Sequence, residues 1–125
     1  MFVVIAALLI NNLIGPRLKG YKVAKPSEAI AMINHEEAVV VDVRESNEFS
    51  NGHIINSIHM PLGTFKDKTK DLEKYKDKPI IVSCRSGSRS AAACGMLKKA
   101  GFENVYNLSG GVMAWQSANL PLVKK

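Results

Sequence analysis

Residues 79–101 read PIIVSCRSGSRSAAACGMLKKAG and contain the features that decide the fold. Pro79 to Ser83 includes three consecutive β-branched residues and predicts a central strand. Ser90 to Ala100 carries apolar residues at helical spacing on one face, and Gly101 follows as a helix stop. The polar loop of residues 84–89 therefore lies at the carboxyl end of a strand. Open α/β sheets bind their ligands at that edge.

The rest of the chain from Tyr21 alternates short β-branched runs with helical patterns. Val39 to Val41 is a continuous run of valines, which is typical of a parallel strand covered on both faces, and Asp42 ends it. Further strands are predicted at Ile58 to Pro61 and at Asn104 to Leu108. This alternation predicts five short strands with interleaved helices, an α/β/α sandwich with a five-stranded parallel sheet.

Four more helical segments are expected: Pro26 to Asn34, Ser46 to Phe49, Phe65 to Tyr75, and a terminal segment around Trp115. The first should bury Ile30 and Ile33 and begins with proline at a favoured position. Within the helix after residue 90, Gly95 costs about 1 kcal/mol relative to alanine. We expect close packing of that helix on the sheet to offset this cost.

Composition sets limits on the class of protein. A chain of 125 residues suits one domain, and 46% hydrophobic and 22% charged residues exclude a disordered or collagen-like chain. The net charge of +6 raises the question of nucleic acid binding. Residues 66–78 hold six lysines but also four acids and a single aromatic residue, which is typical of a mixed solvated face rather than of a basic platform with interleaved aromatic residues. We therefore expect no nucleic acid partner.

The N-terminal part differs from the rest. Residues 1–16 form an apolar segment, residues 17–22 a basic linker, and residues 23–123 the folded domain. The apolar segment is shorter than the ~20 residues that span a membrane. We expect it to be the tail of a single-pass anchor that begins upstream of Met1. The basic residues after it place the domain on the cytoplasmic side.

Two other interpretations of this segment stay open. One is a signal peptide, which would make the protein secreted or periplasmic after cleavage. No basic residue opens the segment, however, and Gly15 and Pro16 make a poor cleavage site. The other is an apolar helix in the domain core, which should show polar positions that this segment lacks.

Cys84 is the candidate nucleophile. A cysteine between a strand and a helix N-terminus faces loop amides and the positive end of the helix dipole, and Arg85 and Arg89 add positive charge. These influences favour the thiolate, which is the reactive form. Gly87 suits a loop whose backbone wraps closely around an anion. The alternative is a buried, inert cysteine, and this is the interpretation that we give to Cys94.

Four ordered motifs carry a family resemblance: Asp42-Val43-Arg44-Glu45 with Glu48-Phe49, Gly52-His53-Ile54, Cys84 to Ser90, and Leu108-Ser109-Gly110-Gly111 with Trp115. Through them the chain from Val23 to Leu122 resembles a single-domain rhodanese of the thiosulfate sulfurtransferase family. The resemblance implies the rhodanese fold. It does not extend to residues 1–22.

The resemblance also implies an activity. Cys84 resembles the sulfur-accepting cysteine, and Arg85, Ser86, Gly87, Ser88 and Arg89 resemble the substrate-binding loop. The expected reaction transfers sulfur from thiosulfate or a related anionic donor, through a Cys84 persulfide, to cyanide or a thiol, including a protein thiol. Neither a metal nor another cofactor is expected, since two cysteines without close spacing give no zinc signature.

Two other functions are weighed against this one. The domain is alternatively a persulfide carrier or protein-interaction module without significant turnover. Cysteine-dependent phosphatases that resemble this fold use Cys-x5-Arg, but here the sixth residue after Cys84 is Ser90. Arg89 comes one residue early, so the loop length favours sulfur transfer over phosphatase chemistry.

The remaining polar and aromatic residues of the motifs are interpreted as structural. We expect Asp42 and Arg44 to form an ion pair and Glu48 to hold Arg44 or another basic group. His53 has a structural position in its motif. Trp115 is expected to anchor the core, because large aromatic side chains are usually buried.

Overall fold

A computed structural model describes residues 20–124 of the chain. Its strands are β1 (Lys22–Ala24), β2 (Val39–Asp42), β3 (Ile58–His59), β4 (Ile80–Ser83) and β5 (Val105–Leu108). Its α-helices are α1 (Pro26–Glu36), α2 (Ser46–Ser50), α3 (Leu62–Phe65), α4 (Ser88–Lys99) and α5 (Gly111–Ser117), and Lys66–Tyr75 is a 3-10 helix.

The five strands form one sheet in the order β1-β5-β4-β2-β3, and every neighbouring pair is parallel. β4 lies in the middle, with Ile80 in register with Val39 on one side and with Val105 on the other. The predicted five-stranded parallel sheet is confirmed. Because parallel strands share one carboxyl edge, the residues that follow β2, β4 and β5 lie together.

Two apolar cores cover the two faces of the sheet. Ile80 and Val82 belong to the core with α4, α3 and the 3-10 helix. Ile81, between them, belongs to the core with α1 and α5. Successive strand residues point to opposite faces, which explains why a central strand needs an unbroken apolar run. Burying each such side chain contributes roughly 1.5–3 kcal/mol, so the sandwich is held from both sides.

One strand was not located by the sequence pattern. β1 is a three-residue edge strand paired with β5, and Val23 in its middle is 57% exposed. An edge strand with a solvent-exposed face lacks the buried apolar run by which central strands are found. Its neighbours Gly20 and Tyr21 are the first residues that the structure describes.

Two details of the helix predictions are wrong. In α1 the buried residues are Ala29 and Met32, whereas Ile30 and Ile33 are only half-buried against the same core. The segment after Phe65 is helical, as predicted, and forms a 3-10 helix in which Leu72 is the one buried residue. A Cβ on Gly95 would meet nothing within 4 Å, so no close helix-to-sheet approach explains that glycine.

The membrane prediction concerns residues 1–16, which lie outside the described residues. Within residues 20–124 no helix is both long and apolar enough to cross a bilayer.

Candidate active site

Cys84 follows β4 directly, at the carboxyl edge of the strand in the middle of the sheet. The residue is only 1% exposed and packs against the core on the α4 side. The loop that follows it ends at Gly87, and α4 begins at Ser88, two residues earlier than the sequence pattern predicts. Ser88 and Arg89 therefore lie in the first turn of the helix, and the loop proper is residues 84–87.

Backbone and side-chain donors surround the sulfur. The amide of Gly87 donates to Cys84 Sγ at 3.1 Å and the amide of Ser90 at 3.3 Å. The Ser90 hydroxyl lies 3.3 Å from the same sulfur. Gly87 has φ of 117°, a left-handed conformation that turns its amide inward and favours glycine. This cradle of N–H groups at a helix N-terminus is an anion site.

The pKa of the Cys84 thiol reflects two opposed influences. Burial is the largest and raises the pKa, but hydrogen bonds from the Ser90 hydroxyl and amide and from the amides of Gly87 and Ser86 lower it. The lowering influences win, so the pKa lies below the ordinary value for cysteine. The sequence predicted a stabilised thiolate, and the largest lowering contributions come from hydrogen bonds rather than from the arginines.

The first turn of α5 is hydrogen-bonded to the backbone of the loop that follows β4. The amides of Val112 and Met113, in the first turn of α5, donate to the carbonyl oxygens of Cys84 and Arg85 at 2.9 and 3.1 Å. A Cβ on Gly111 would lie 2.5 Å from both carbonyl oxygens. Gly111 therefore allows α5 to approach the loop of residues 84–87 at backbone distance.

The two arginines of the loop differ in their surroundings. Arg89 donates from Nη1 and Nη2 to the two carboxylate oxygens of Glu48, at 2.7 and 2.9 Å. Its guanidinium is thus already paired with α2. Arg85 is exposed, and within residues 20–124 its guanidinium makes no hydrogen bond or ion pair. The expectation that Glu48 holds a basic group is correct, and that group is Arg89.

A groove of about 320 Å³ lies beside the loop. Its lining includes Glu48, Arg85, Met113 and Gln116. Met113 is 49% exposed, which makes it one of three large apolar side chains that are open to solvent among residues 20–124. The groove therefore offers a cationic group and an apolar group side by side, next to the nucleophile loop.

The other motif residues stabilise the fold around the site. Asp42 and Arg44 form a buried ion pair at 2.7 Å, and Arg44 also donates to the Gly52 carbonyl oxygen at 2.7 Å. His53 is buried and stacks on Phe49 with ring centroids 3.7 Å apart. These residues tie the loop after β2 together, as the structural interpretation predicts.

Trp115 and Cys94 are core residues, as expected. Trp115 is 3% exposed and its indole N–H donates to the Pro121 carbonyl oxygen at 3.0 Å. Cys94 is fully buried on α4. Burial, with a smaller contribution from the charge of Cys84, raises the pKa of Cys94 to about 12. The two cysteines of the chain are therefore chemically opposite, since one favours the thiolate and the other the neutral thiol.

The comparisons with known proteins agree with this geometry. The sequence model of the rhodanese-like domain family matches residues 25–118 of the chain. The chain belongs to the rhodanese-like domain family. Among solved structures, a rhodanese-related protein from Thermoplasma volcanium is similar to it, with a TM-score of 0.76 and 34% identity over 84% of this chain and 100% of that one. The rhodanese fold that the motifs implied is confirmed.

Two relatives within this family differ in whether their names assign an activity. The protein YibN of Escherichia coli K12, itself uncharacterized, is 44% identical over 82% of this chain and 73% of its own length. A putative sulfurtransferase of Bacillus subtilis, YtwF, is 40% identical over 69% of this chain and 81% of its own length. This rhodanese-like chain thus has relatives named as sulfurtransferases and relatives without an assigned activity.

Two residues of the site were not singled out from the sequence. The sequence pattern placed Ser90 at the start of a helix and Asn107 in a strand, without a role at the sulfur for either. The Ser90 hydroxyl lies within hydrogen-bond distance of the sulfur, and Asn107 lies behind Ser90. The position of Ser90 one residue after Arg89 at a helix N-terminus was a usable signal. Nothing in the sequence around Asn107 distinguishes it from any other strand residue.

Proposed function

We propose that this rhodanese-like domain is a sulfurtransferase that moves a sulfane sulfur from thiosulfate or a similar anionic donor to a thiol or cyanide, through a persulfide on Cys84. The observation that carries the proposal is the pair of backbone amides, from Gly87 and Ser90, that donate to the Cys84 sulfur, with the Ser90 hydroxyl 3.3 Å from the same atom and the pKa of the thiol below its ordinary value. Hydrogen bonds to the sulfur increase the thiolate fraction, and the thiolate is a nucleophile that needs no separate general base.

In the first step the Cys84 thiolate attacks the outer sulfur of thiosulfate. The new bond joins Sγ to that sulfur, the sulfur–sulfur bond of the donor breaks, and sulfite leaves with the bonding electron pair. Cys84 is 1% exposed, which suits a donor whose reacting end is a single sulfur atom. The cradle amides then stabilise the negative charge on the persulfide, as they do on the thiolate.

In the second step an acceptor thiolate, or cyanide, attacks the terminal sulfur of the persulfide. The sulfur–sulfur bond to Cys84 breaks, its electron pair returns to Sγ, and the thiolate is restored. No proton needs to move in either step if both nucleophiles are anions. This agrees with the site, where hydrogen-bond donors surround the sulfur and no carboxylate or imidazole of residues 20–124 is hydrogen-bonded to it.

We expect positively charged side chains after Cys84 to bind the negatively charged sulfur donor. The sequence resemblance assigns Arg85 to Arg89 to donor binding, and the exposed guanidinium of Arg85 supports that role for Arg85. Arg89 takes part more weakly in this proposal, because Glu48 occupies both of its outer nitrogens. The groove next to Arg85 suits the acceptor, because Met113 and Gln116 provide apolar and polar contacts for an organic thiol.

The intact protein's mass after incubation with thiosulfate tests the first step. One added sulfur, about 32 Da, is expected on the reduced protein and should disappear after a thiol is added. Cys84→Ala should gain nothing, and Cys94→Ala should gain one sulfur as the wild type does. Absence of any gain on the wild type would contradict thiosulfate as donor. A gain that survives in Cys84→Ala would contradict Cys84 as carrier.

Steady-state turnover separates an enzyme from a carrier module. The proposal expects repeated thiosulfate-to-cyanide transfer that depends on Cys84. A carrier that serves one protein partner would load one sulfur per chain and stop, and that outcome would overturn enzymatic turnover with small molecules while leaving the persulfide intact. Hydrolysis of a phosphate ester by the wild type would instead favour the phosphatase alternative, which is argued against by Ser90 at the position where Cys-x5-Arg requires arginine.

We also propose that the domain is held at the cytoplasmic face of a membrane by the N-terminal apolar segment. Fractionation of cells that produce the full-length gene product, including any residues encoded upstream of Met1, tests this. Recovery in the membrane fraction, released by detergent but not by high salt, is the expected result. Recovery from the periplasm would favour the signal peptide, and recovery in the soluble fraction would contradict an anchor.

A further inference from the structure

Asn107 lies on β5 next to the nucleophile strand, in register with Val82 of β4. Its side-chain Nδ2 donates to the Gly87 carbonyl oxygen at 3.1 Å. Its Oδ1 accepts from the Ser90 hydroxyl at 2.5 Å. Gly87 and Ser90 are the two residues whose amides hold the Cys84 sulfur. The half-buried side-chain amide of Asn107 therefore forms hydrogen bonds with both residues whose backbone amides donate to the sulfur.

The surrounding acceptors fix the orientation of this amide. A carbonyl oxygen cannot donate, so the group that faces Gly87 O has to be the Nδ2 of Asn107. Oδ1 then faces Ser90 and can only accept. The Ser90 hydroxyl is thus the donor in its contact with Asn107, which is the shortest of its contacts.

Three possible acceptors lie within hydrogen-bond distance of the Ser90 hydroxyl, which has only one proton to donate. Asn107 Oδ1 lies at 2.5 Å, the Gly87 carbonyl oxygen at 3.2 Å and Cys84 Sγ at 3.3 Å. When Cys84 is a thiol, its own proton can point to Ser90 Oγ while Ser90 donates to Asn107. When Cys84 is a thiolate, Sγ becomes an acceptor and competes with Asn107 for the Ser90 proton.

We propose that Asn107 is a positioning residue that controls, through the Ser90 hydroxyl, how strongly the cradle stabilises the Cys84 thiolate. Asn107 holds the Ser90 side chain in place. Its Oδ1 also competes with the Cys84 sulfur as the acceptor of the Ser90 hydroxyl proton. The role deepens the proposed function, because the stability of the thiolate sets both its abundance and its reactivity. Asn107 does not touch the sulfur itself.

Two substitutions should have opposite effects. Asn107→Asp keeps an acceptor for Ser90 but adds negative charge and loses the donor to Gly87 O. It should withdraw the Ser90 proton from the sulfur and raise the pKa of Cys84, by on the order of one unit. Asn107→Leu removes the competing acceptor, so Ser90 can donate to the thiolate and the pKa should fall. Gly87 stays held in that variant, because its carbonyl oxygen also accepts from the Ala91 amide at 3.2 Å.

The direct measurement is the ultraviolet absorbance of the thiolate against pH, with the Cys84→Ala protein subtracted. This measurement needs no sulfur donor, so a failure of the proposed sulfurtransferase activity does not affect it. Asn104→Asp is the matched control, because Asn104 is exposed just before the same strand, at the opposite edge of the sheet. It should leave the titration of Cys84 unchanged.

The Ser90→Ala background tests whether Ser90 transmits the effect. There, Asn107→Leu should no longer lower the pKa of Cys84. The proposal is overturned if the two Asn107 variants shift the titration in the same direction, if neither shifts it, or if the shifts persist fully without the Ser90 hydroxyl. If Asn107→Asp does not fold, the sign of the Asn107→Leu shift and its loss in the Ser90→Ala background decide the question.

Discussion

Arg89 and Glu48 lie 41 residues apart in the chain and meet in a two-point ion pair beside the nucleophile loop. The guanidinium belongs to the first turn of α4 and the carboxylate to α2, and their closest atoms are 2.7 Å apart. The hydrogen bond from Arg89 lowers the pKa of Glu48 to about 2, with burial opposing it and a backbone bond from Glu45 adding to it. At neutral pH this carboxylate therefore reduces the positive charge that a donor anion meets.

Glu48→Gln should strengthen the binding of a doubly charged donor. The variant keeps an oxygen for Arg89 but loses the negative charge, so the loop becomes more positive by one unit. We expect the KM for thiosulfate to fall about threefold to tenfold at low ionic strength, as for a surface charge pair in an intermediate dielectric. Steady-state kinetics at several salt concentrations measures this.

Glu103→Gln is the control for that experiment. Glu103 is exposed before β5, at the edge of the sheet opposite to Cys84, and its loss changes the net charge equally. The KM of the Glu103→Gln variant for thiosulfate should equal that of the wild type. An unchanged KM in Glu48→Gln at low salt would mean that Arg89 does not contribute to donor binding.

The same ion pair should make stability depend on pH. The pKa of Glu48 is about 2 in the folded protein and near 4.5 in an unfolded chain, so ionised Glu48 stabilises the fold above pH 4.5. That contribution is lost as pH falls from about 4.5 to about 2. We expect the difference in Tm between the wild type and Glu48→Gln to be constant above pH 5 and to shrink toward zero near pH 2. A difference that does not change with pH would contradict the ion pair.

The sequence was sufficient for the sheet and for the position of Cys84 at its carboxyl edge, because both depend on local patterns. Ile80 to Val82 form an unbroken apolar run, as a strand buried on both faces requires, and Cys84 follows it at the edge where the helix begins. β1 was missed because an exposed three-residue edge strand shows no such pattern. Gly95 was misjudged because a helix tolerates glycine at a cost even where nothing packs against it.

The details of the site depend on contacts that no local pattern reveals. The partner of Arg89 comes from a helix 41 residues earlier, so the sequence alone treated both arginines of the loop as equally free. Asn107 reaches Ser90 across neighbouring strands, from a register that is set only once the sheet has formed. The resemblance located the loop, but the folded chain was needed to show which donors face the sulfur.

Gly111→Ala should disrupt the loop. The added methyl group would lie 2.5 Å from the carbonyl oxygens of Cys84 and Arg85, and Gly111 has φ of 58°, which disfavours other residues. We expect a loss of more than about 2 kcal/mol in the free energy of unfolding, because strain and overpacking add. Sulfur transfer should fall with it, because α5 can no longer hold the loop at backbone distance. Chemical denaturation and turnover measure the two effects.

Gly95→Ala is the matched control for this substitution. Gly95 lies inside α4 and a Cβ there would meet nothing within 4 Å. The variant should gain about 1 kcal/mol through helix propensity and keep its activity. Destabilisation by Gly95→Ala equal to that by Gly111→Ala would show that the close approach of α5 is not the cause.

Ser90→Ala should change the pH dependence of sulfur loading. The variant removes the hydroxyl that lies 3.3 Å from the sulfur but keeps the Ser90 amide, so the pKa of Cys84 should rise. Loading at neutral pH should slow by roughly tenfold, the effect of one hydrogen bond to a charged group, and should recover at alkaline pH where the thiolate forms. Rapid-quench mass measurements across pH test this, with Ser117→Ala, an exposed serine of α5, as control. A uniform loss at every pH would indicate a misfolded loop instead.

Cys94 should stay inert while Cys84 reacts. Burial raises the pKa of Cys94 to about 12, so its thiol stays protonated, and its side chain lies in the core under α4. Cys94→Ala should therefore load one sulfur at the wild-type rate and lose about 1 kcal/mol of stability, the usual cost of a small cavity. A peptide map after sulfur loading and alkylation should place the modification on Cys84 alone. Sulfur on Cys94, or a disulfide between the two residues, would show that the core opens during the reaction and that the second cysteine takes part.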